Sequence, residues 1–262
     1  PVSVAVVFSS GEGTAAEPYA ITTPEQLNGL RFYTGEGGED TYFELMGAID
    51  LSDPDFIDGA SGWVPIGTSS SAPFAGTFDG NGFTVSNLFI DRPEQTDQGL
   101  FGSLSGATVT DLHLESVSVT GKGRVGALTG RIQNTVIQGV TASGSVATES
   151  TNTSGSNAGG LAGYAIGSDI IDSGADVTVT AVDHNSGGLV GYASNTRISS
   201  SRSHGGVTGA GSEAINIGGL VSFLAAGGTV QNSYATGHVN GAGIRYGGLV
   251  GVMASSFGPD PV

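Results

Sequence analysis

The pentapeptide Gly187-Gly188-Leu189-Val190-Gly191 constrains this chain more than any other stretch, because it recurs. Close copies stand at Gly159-Gly160-Leu161-Ala162-Gly163, Gly218-Gly219-Leu220-Val221-Ser222 and Gly247-Gly248-Leu249-Val250-Gly251. Weaker copies are Gly99-Leu100-Phe101-Gly102 and Gly126-Ala127-Leu128-Thr129-Gly130. The motif leucines, at positions 100, 128, 161, 189, 220 and 249, are separated by 28, 33, 28, 31 and 29 residues. A period in this range signals a solenoid or array, in which one unit cannot bury its apolar face and stacking supplies the core.

Two further columns follow each leucine. The first is Val109, Val136, Ile170, Ile198 and Val230, and the second is Val119, Val146, Val179, Val207 and Val239. Short runs of Val, Ile and Thr bounded by Gly, Ser and Asn read as strands, and nothing between them has the period of a helix. Three short strands per turn predict an all-β, parallel β-solenoid, right-handed by the usual rule for parallel crossovers. Its turns stack roughly 4.8 Å apart, so each column becomes a ladder of like side chains, and the paired glycines allow tight corners or close backbone approach. The repeats occupy residues 99–262. Residues 1–98 read as an N-terminal strand, a capping helix and irregular first coils.

These repeats resemble the GLUG-motif repeats of bacterial and archaeal surface and secreted proteins. The resemblance extends upstream, because Phe74-Ala75-Gly76-Thr77-Phe78-Asp79-Gly80-Asn81-Gly82 followed by Val85-Ser86-Asn87-Leu88 is similar to the unit that precedes such repeats. It implies an extracellular, adhesin-like β-solenoid, secreted or displayed at the cell surface. Some GLUG-bearing proteins resemble IgA-cleaving metallopeptidases, whose HExxH zinc motif does not occur in this sequence.

Charge narrows the partners. The 262 residues carry 24 Asp and Glu against 8 Lys and Arg, a formal charge of −16, which disfavours nucleic acid and anionic membrane surfaces. No apolar run reaches the ~20 residues that span a bilayer. There is no cysteine, so disulfides play no part. The chain begins at Pro1 without a basic segment, which reads as a signal peptide removed or lying outside the sequence.

In chain order, Val2, Val4, Val6 and Phe8 alternate with smaller residues as a strand with one apolar face. Thr23-Pro24-Glu25-Gln26 is a helix start, with Thr23 as N-cap and Gln26 closing a capping box. Leu27 and Leu30 share one face of that helix, which is read as a plug over the open end of the solenoid. Twelve of the chain's aromatics precede position 100, so this part is expected to have the thicker core.

Candidate chemistry is sparse. Asp50, Asp53, Asp55 and Asp58 crowd one loop, read as a solvated acidic loop with a calcium site as the sharper alternative; no other cofactor is expected. The four histidines fall at different distances from their leucines and are read as forming no column. Asp111 with Arg131, or Asp172 with Arg202, could pair between turns, which reads as surface electrostatics rather than catalysis, so no catalytic residue is assigned. Tyr164, Tyr192 and Phe223 each lie three residues after a motif leucine and predict an aromatic ladder, read as packing rather than sugar binding. Thr120, Thr180 and Thr208 share another column, interrupted by Ala147 and Asn240, which leaves ice binding a minor reading.

Repeat length varies after the third strand, at 147–158 and 208–217. A ligand edge there would use Glu149, Ser150, Thr151, Asn152, Ser212 and Glu213, although such residues also suit flexible loops. The expected function is a non-catalytic extracellular structural or adhesion module, its partners a glycan or a cell-surface protein. The alternatives are a filament subunit and a glycan-binding or polysaccharide-degrading β-helix. In the filament reading Val2, Val4, Val6 and Phe8 of one chain would pair with the edge bearing Leu249 and Val250 of the next, giving end-to-end self-association.

Overall fold

In a computed structural model the described residues are 7–35, 37–52, 59–149, 156–241 and 244–254, with 183 and 211–215 described by backbone alone. The chain winds as a parallel β-solenoid whose strands collect into three sheets, one per face. The first face carries the motif and has six strands: Phe101–Ser105, Thr129–Gln133, Ala162–Ile166, Val190–Ser194, Val221–Leu224 and Val250–Met253. The second face has eight strands, beginning with Tyr19–Ile21 and ending with Thr229–Gln231. The third is broader, because strands such as His113–Gly121 and Gly174–Gly187 run on around the body toward the next motif.

The register follows the columns with one slip. Val119, Val146, Val179, Val207 and Val239 pair in succession as predicted. In the second column Val109 pairs with Ile137, not Val136, and Ile137 with Ile170. Val136 is only partly covered, whereas Ile137 is buried. Strand side chains alternate faces, so of two adjacent apolar residues only one points inward, and Ile137 restores the nine-residue step from Leu128.

Two corners repeat in every regular coil. The first turns on a residue with positive φ in the column Gly106, Asn134, Gly167, Asn195 and Gly227, the second on Asp111, Gly139, Asp172, Ser200 and Asn232. Gly and Asn tolerate this conformation best, which explains both columns. A small hydroxyl residue follows the corner and spans two coils. Ser168 Oγ donates to Ile166 O at 2.8 Å and accepts from Thr135 N at 3.1 Å. Ser173 and Ser201 repeat the pattern at the second corner. Buried backbone groups at the bends are thereby satisfied.

The motif glycines serve close approach rather than corners. A Cβ at Gly188 would overlap Gly219 O and Ser203 Oγ, and one at Gly160 would overlap Gly188 O. The leucine beside each pair is buried at every coil except the last, where Leu249 is 38% exposed.

Before Gly99 the coils are irregular and filled by rings. Phe43, Phe74 and Phe101 form a chain with centroids 5.9 and 5.2 Å apart, and Trp63 is buried with its Nε1 donating to Leu100 O at 3.1 Å. Arg31 stacks over Trp63 at 4.5 Å; burial, and then the neighbouring Arg92, lower its pKa to about 10. The helix is shorter than its pattern suggests. It spans Pro24–Gly29 and passes into a 3₁₀ turn, Leu30–Tyr33, but Thr23 caps it and Leu27 and Leu30 are buried in the common core. Gln26 Oε1 accepts from Thr22 N at 2.8 Å, so the box closes one residue before the cap.

The insertion at 208–217 is not a loop. It lies within one continuous strand, Val207–Gly218, whose register against Gly174–Gly187 shifts around Asp183, so the extra residues are absorbed as a bulge.

Candidate functional site

The third face bends, and the bend makes a trough. In His113–Gly121 an extra residue, with Ser116 at φ 55°, separates the pairings Leu114–Ala142 and Val117–Gly144. Such a bulge kinks its strand. On one side of the bend, outward positions stack in two columns. His113, Thr141, Gly174, Arg202 and Tyr234 form one. Glu115, Ser143, Asp176 and His204 follow two residues on and line the other. Between them Leu114, Ala142, Ala175 and Ser203 point into the core. The trough encloses about 490 Å³.

Its side chains are oriented but not used up. His113 Nδ1 and His204 Nδ1 each share a 2.7 Å hydrogen bond with the hydroxyl one coil on, Thr141 Oγ1 and Thr236 Oγ1. Each bond holds one ring nitrogen and leaves Nε2. Arg202 lies against Gly174, which has no side chain to fill the floor, and makes no ion pair among the described residues. The Tyr234 ring meets His204 edge-on at 5.6 Å and is about half exposed. Two of the four histidines thus line one groove, though in different columns and three coils apart, so they form no column, as their spacings imply. Spacings of 13 and 15 residues differ by two, which puts both side chains on the outward side of the strand but one position apart along it.

The first face carries an aromatic ladder, and the far ends of the third sheet's strands carry an amide one. Tyr164, Tyr192 and Phe223 stack at 4.8 and 5.4 Å with planes 12° apart. Each inner ring face is covered by the next ring, so the ladder serves packing; burial, and then Tyr164, raise the pKa of Tyr192. Four residues before the leucines runs a ladder not anticipated from sequence. Asn185 Nδ2 donates to Asn157 Oδ1 and Asn216 Nδ2 to Asn185 Oδ1, both at 2.7 Å, and Arg245 donates to Asn216 Oδ1 at 3.2 Å. Arg124, paired in register with Asn157, reaches Asp97 through two hydrogen bonds of 2.5 and 2.8 Å, the main cause of its raised pKa. The signal was present as Asn157, Asn185 and Asn216 at a constant offset, but polar residues beside glycine read as loop.

Of the predicted site residues, Asp50 is engaged by its own chain, accepting from Asn87 Nδ2 at 2.8 Å and Ser52 N at 2.9 Å; these bonds, Asn87's first, lower its pKa. Asp53, Asp55 and Asp58 lie outside the described residues, as do Ser150, Thr151, Asn152, Val2, Val4 and Val6. Glu149 is exposed, and Ser212 and Glu213 fall in the bulged strand. Phe8 stacks on Tyr19 at 4.5 Å within its own chain. Neither Asp111 with Arg131 nor Asp172 with Arg202 pairs. Both aspartates occupy the second corner at positive φ, while Arg131 bonds Gln133 on the first face and Arg202 lines the trough. Thr120, Ala147, Thr180, Thr208 and Asn240 stand in one registered column, with the interruptions where the sequence places them.

The GLUG motif matches residues 154–180 and 213–240. Halomucin of Haloquadratum walsbyi is 37% identical over 139 residues, 52% of this chain and 2% of that protein. The immunoglobulin A1 protease of Streptococcus sanguinis is 30% identical over 240 residues, 81% of this chain and 11% of that protein. The chain therefore spans a small fraction of either relative. Among solved structures, one titled IgA1 Protease superposes with a TM-score of 0.55 at 18% identity, covering 88% of this chain and 20% of that one. A Bacteroides ovatus structure assigned to the immunoglobulin A1 proteases superposes with a TM-score of 0.73 at 20% identity, covering 95% and 77%. Identities this low speak to the fold alone. The chain thus carries GLUG-motif repeats wound into a parallel β-solenoid.

Proposed function

We propose that this chain is a non-catalytic extracellular module, a stiff β-solenoid that spaces or attaches a surface protein. The observation that carries the reading is the uninterrupted axial stacking of the motif face, six strands in one ladder, in a sequence resembling small parts of much longer proteins. A solenoid extends by adding coils, each contacting only its neighbours, which suits a spacer. The acidic surface, with a formal charge of −16, suits a solvated exterior. Protease shaving of intact source cells, followed by detection with an antibody to the chain, tests it. Release by shaving is expected; recovery only from the cytosolic fraction would end the reading.

End-to-end assembly is a second reading, favoured by one observation. Among the described residues, the coil at 244–254 leaves Leu249, Tyr246, Ile244 and Met253 exposed, with Val250 partly covered beside them. Deleting residues 1–9 and measuring mass by light scattering tests donation of the Val2 to Phe8 strand. Intact chain forming concentration-dependent assemblies that the deletion abolishes is the expected result, and two monomers would overturn it.

A further inference from the structure

We infer that the trough on the third face binds an uncharged glycan chain lying along the solenoid axis. The inference deepens the attachment role proposed above and rests on it. It places the ligand away from the insertion edge, on side chains that the fold leaves available.

The first reason is repetition. Successive coils present their outward side chains at steps of about 4.8 Å, comparable to the advance of one pyranose unit in an extended polysaccharide. His113 and Arg202 stand in the same column three coils apart, so the trough offers about 14 Å of registered contacts, enough for a short run of sugars.

The second is the chemistry of the walls. Glu115 and Asp176 accept hydrogen bonds, Arg202 donates, Thr141 and Ser143 do either, and each histidine keeps Nε2 free. Sugar hydroxyls are both donors and acceptors, and such a mixed wall satisfies them. A peptide finds no equivalent site, because the backbone groups of these strands are spent in the ladders on either side. A polyanion meets two carboxylates against one arginine on a chain of charge −16.

The third is Tyr234. Its ring sits edge-on to His204 at the far end of the trough and is about half exposed, so one face remains for the C–H surface of a pyranose. The rings of the first face lack this property, since their faces are stacked on one another.

Native affinity electrophoresis of the whole chain in gels containing a soluble cellulose-derived glucan, xylan, dextran or hyaluronan tests the inference. At least one neutral polysaccharide is expected to retard the chain. Arg202→Ala and Tyr234→Ala should each weaken that retardation about tenfold, while Arg131→Ala on the first face leaves it unchanged. Unaltered melting curves show that the variants fold, and Arg202→Lys serves where Arg202→Ala does not. No retardation by any neutral polysaccharide, retardation by hyaluronan alone, or binding indifferent to both trough substitutions would overturn the assignment. Those failures leave surface display standing, which the shaving experiment decides separately.

Discussion

The coils before Gly99 and those after it solve the same problem in opposite ways. Upstream, where no coil repeats its neighbour, the interior is filled by large buried rings: Phe43, Trp63, Phe74 and Phe78. Downstream the core thins to Leu, Val, Ile and Ala, and polar ladders of Asn, Ser and Thr are buried with it. An irregular coil relies on volume, because its backbone finds no matching partner at every position. A regular coil relies on register, which lets the corner hydroxyls and the amide ladder bond to their own copies one coil away.

The contrast is broken most severely by Leu189→Asp. An unpaired carboxylate in the thin core should cost on the order of 5 kcal/mol, a large part of a typical domain's stability, and melt the neighbouring coils together. Phe74→Ala in the aromatic region should cost about 3–5 kcal/mol through its cavity. Hydrogen exchange separates the two. Loss of protection confined to residues before Gly99 in the Leu189 variant would refute the assignment of cores.

Next in size is a glycine pair at one motif position. Gly188→Ala forces a Cβ into Gly219 O and should cost about 3 kcal/mol, whereas Gly248→Ala, with nothing within 4 Å, should be nearly neutral. Chemical denaturation of both gives the comparison; equal midpoints would mean that the glycines are not selected by stacking. If chains assemble through the last coil, Gly248→Ala should instead weaken assembly.

Asn185→Ala removes the middle of the amide ladder and takes the described acceptor from Asn216 Nδ2, a loss of about 2 kcal/mol. Asn185→Asp at neutral pH should be worse, since Asn157 Oδ1 would then face an acceptor. A denaturant midpoint for Asn185→Ala matching that of the unaltered chain would show the ladder to be incidental.

The smallest effect belongs to Asp50 in the irregular part. Its folded pKa lies below the ordinary 3.8, so its hydrogen bonds add stability above that value, and the contribution is lost as pH falls through the folded pKa. Asp50→Asn should therefore narrow the gap to the unaltered chain only under strongly acid conditions. Melting curves between neutral pH and pH about 2 check this, and a difference that grew on acidification would reverse the sign.

What the amino-acid order determined by itself is the part that repeats. The motif leucines, the valine column from Val119 to Val239 and the ladder of Tyr164, Tyr192 and Phe223 were legible because a solenoid writes each contact several times at a constant offset. Where one copy was ambiguous, as with Val136 beside Ile137, the side-chain alternation of a paired strand chose between them. The trough was settled only by tertiary structure. His113 and His204 come from coils three apart, and the bulge at Ser116 that bends the face has no mark in composition. The insertion at 208–217 reads as a loop for the same reason: only pairing with Gly174–Gly187 supplies the hydrogen bonds that turn polar residues into strand.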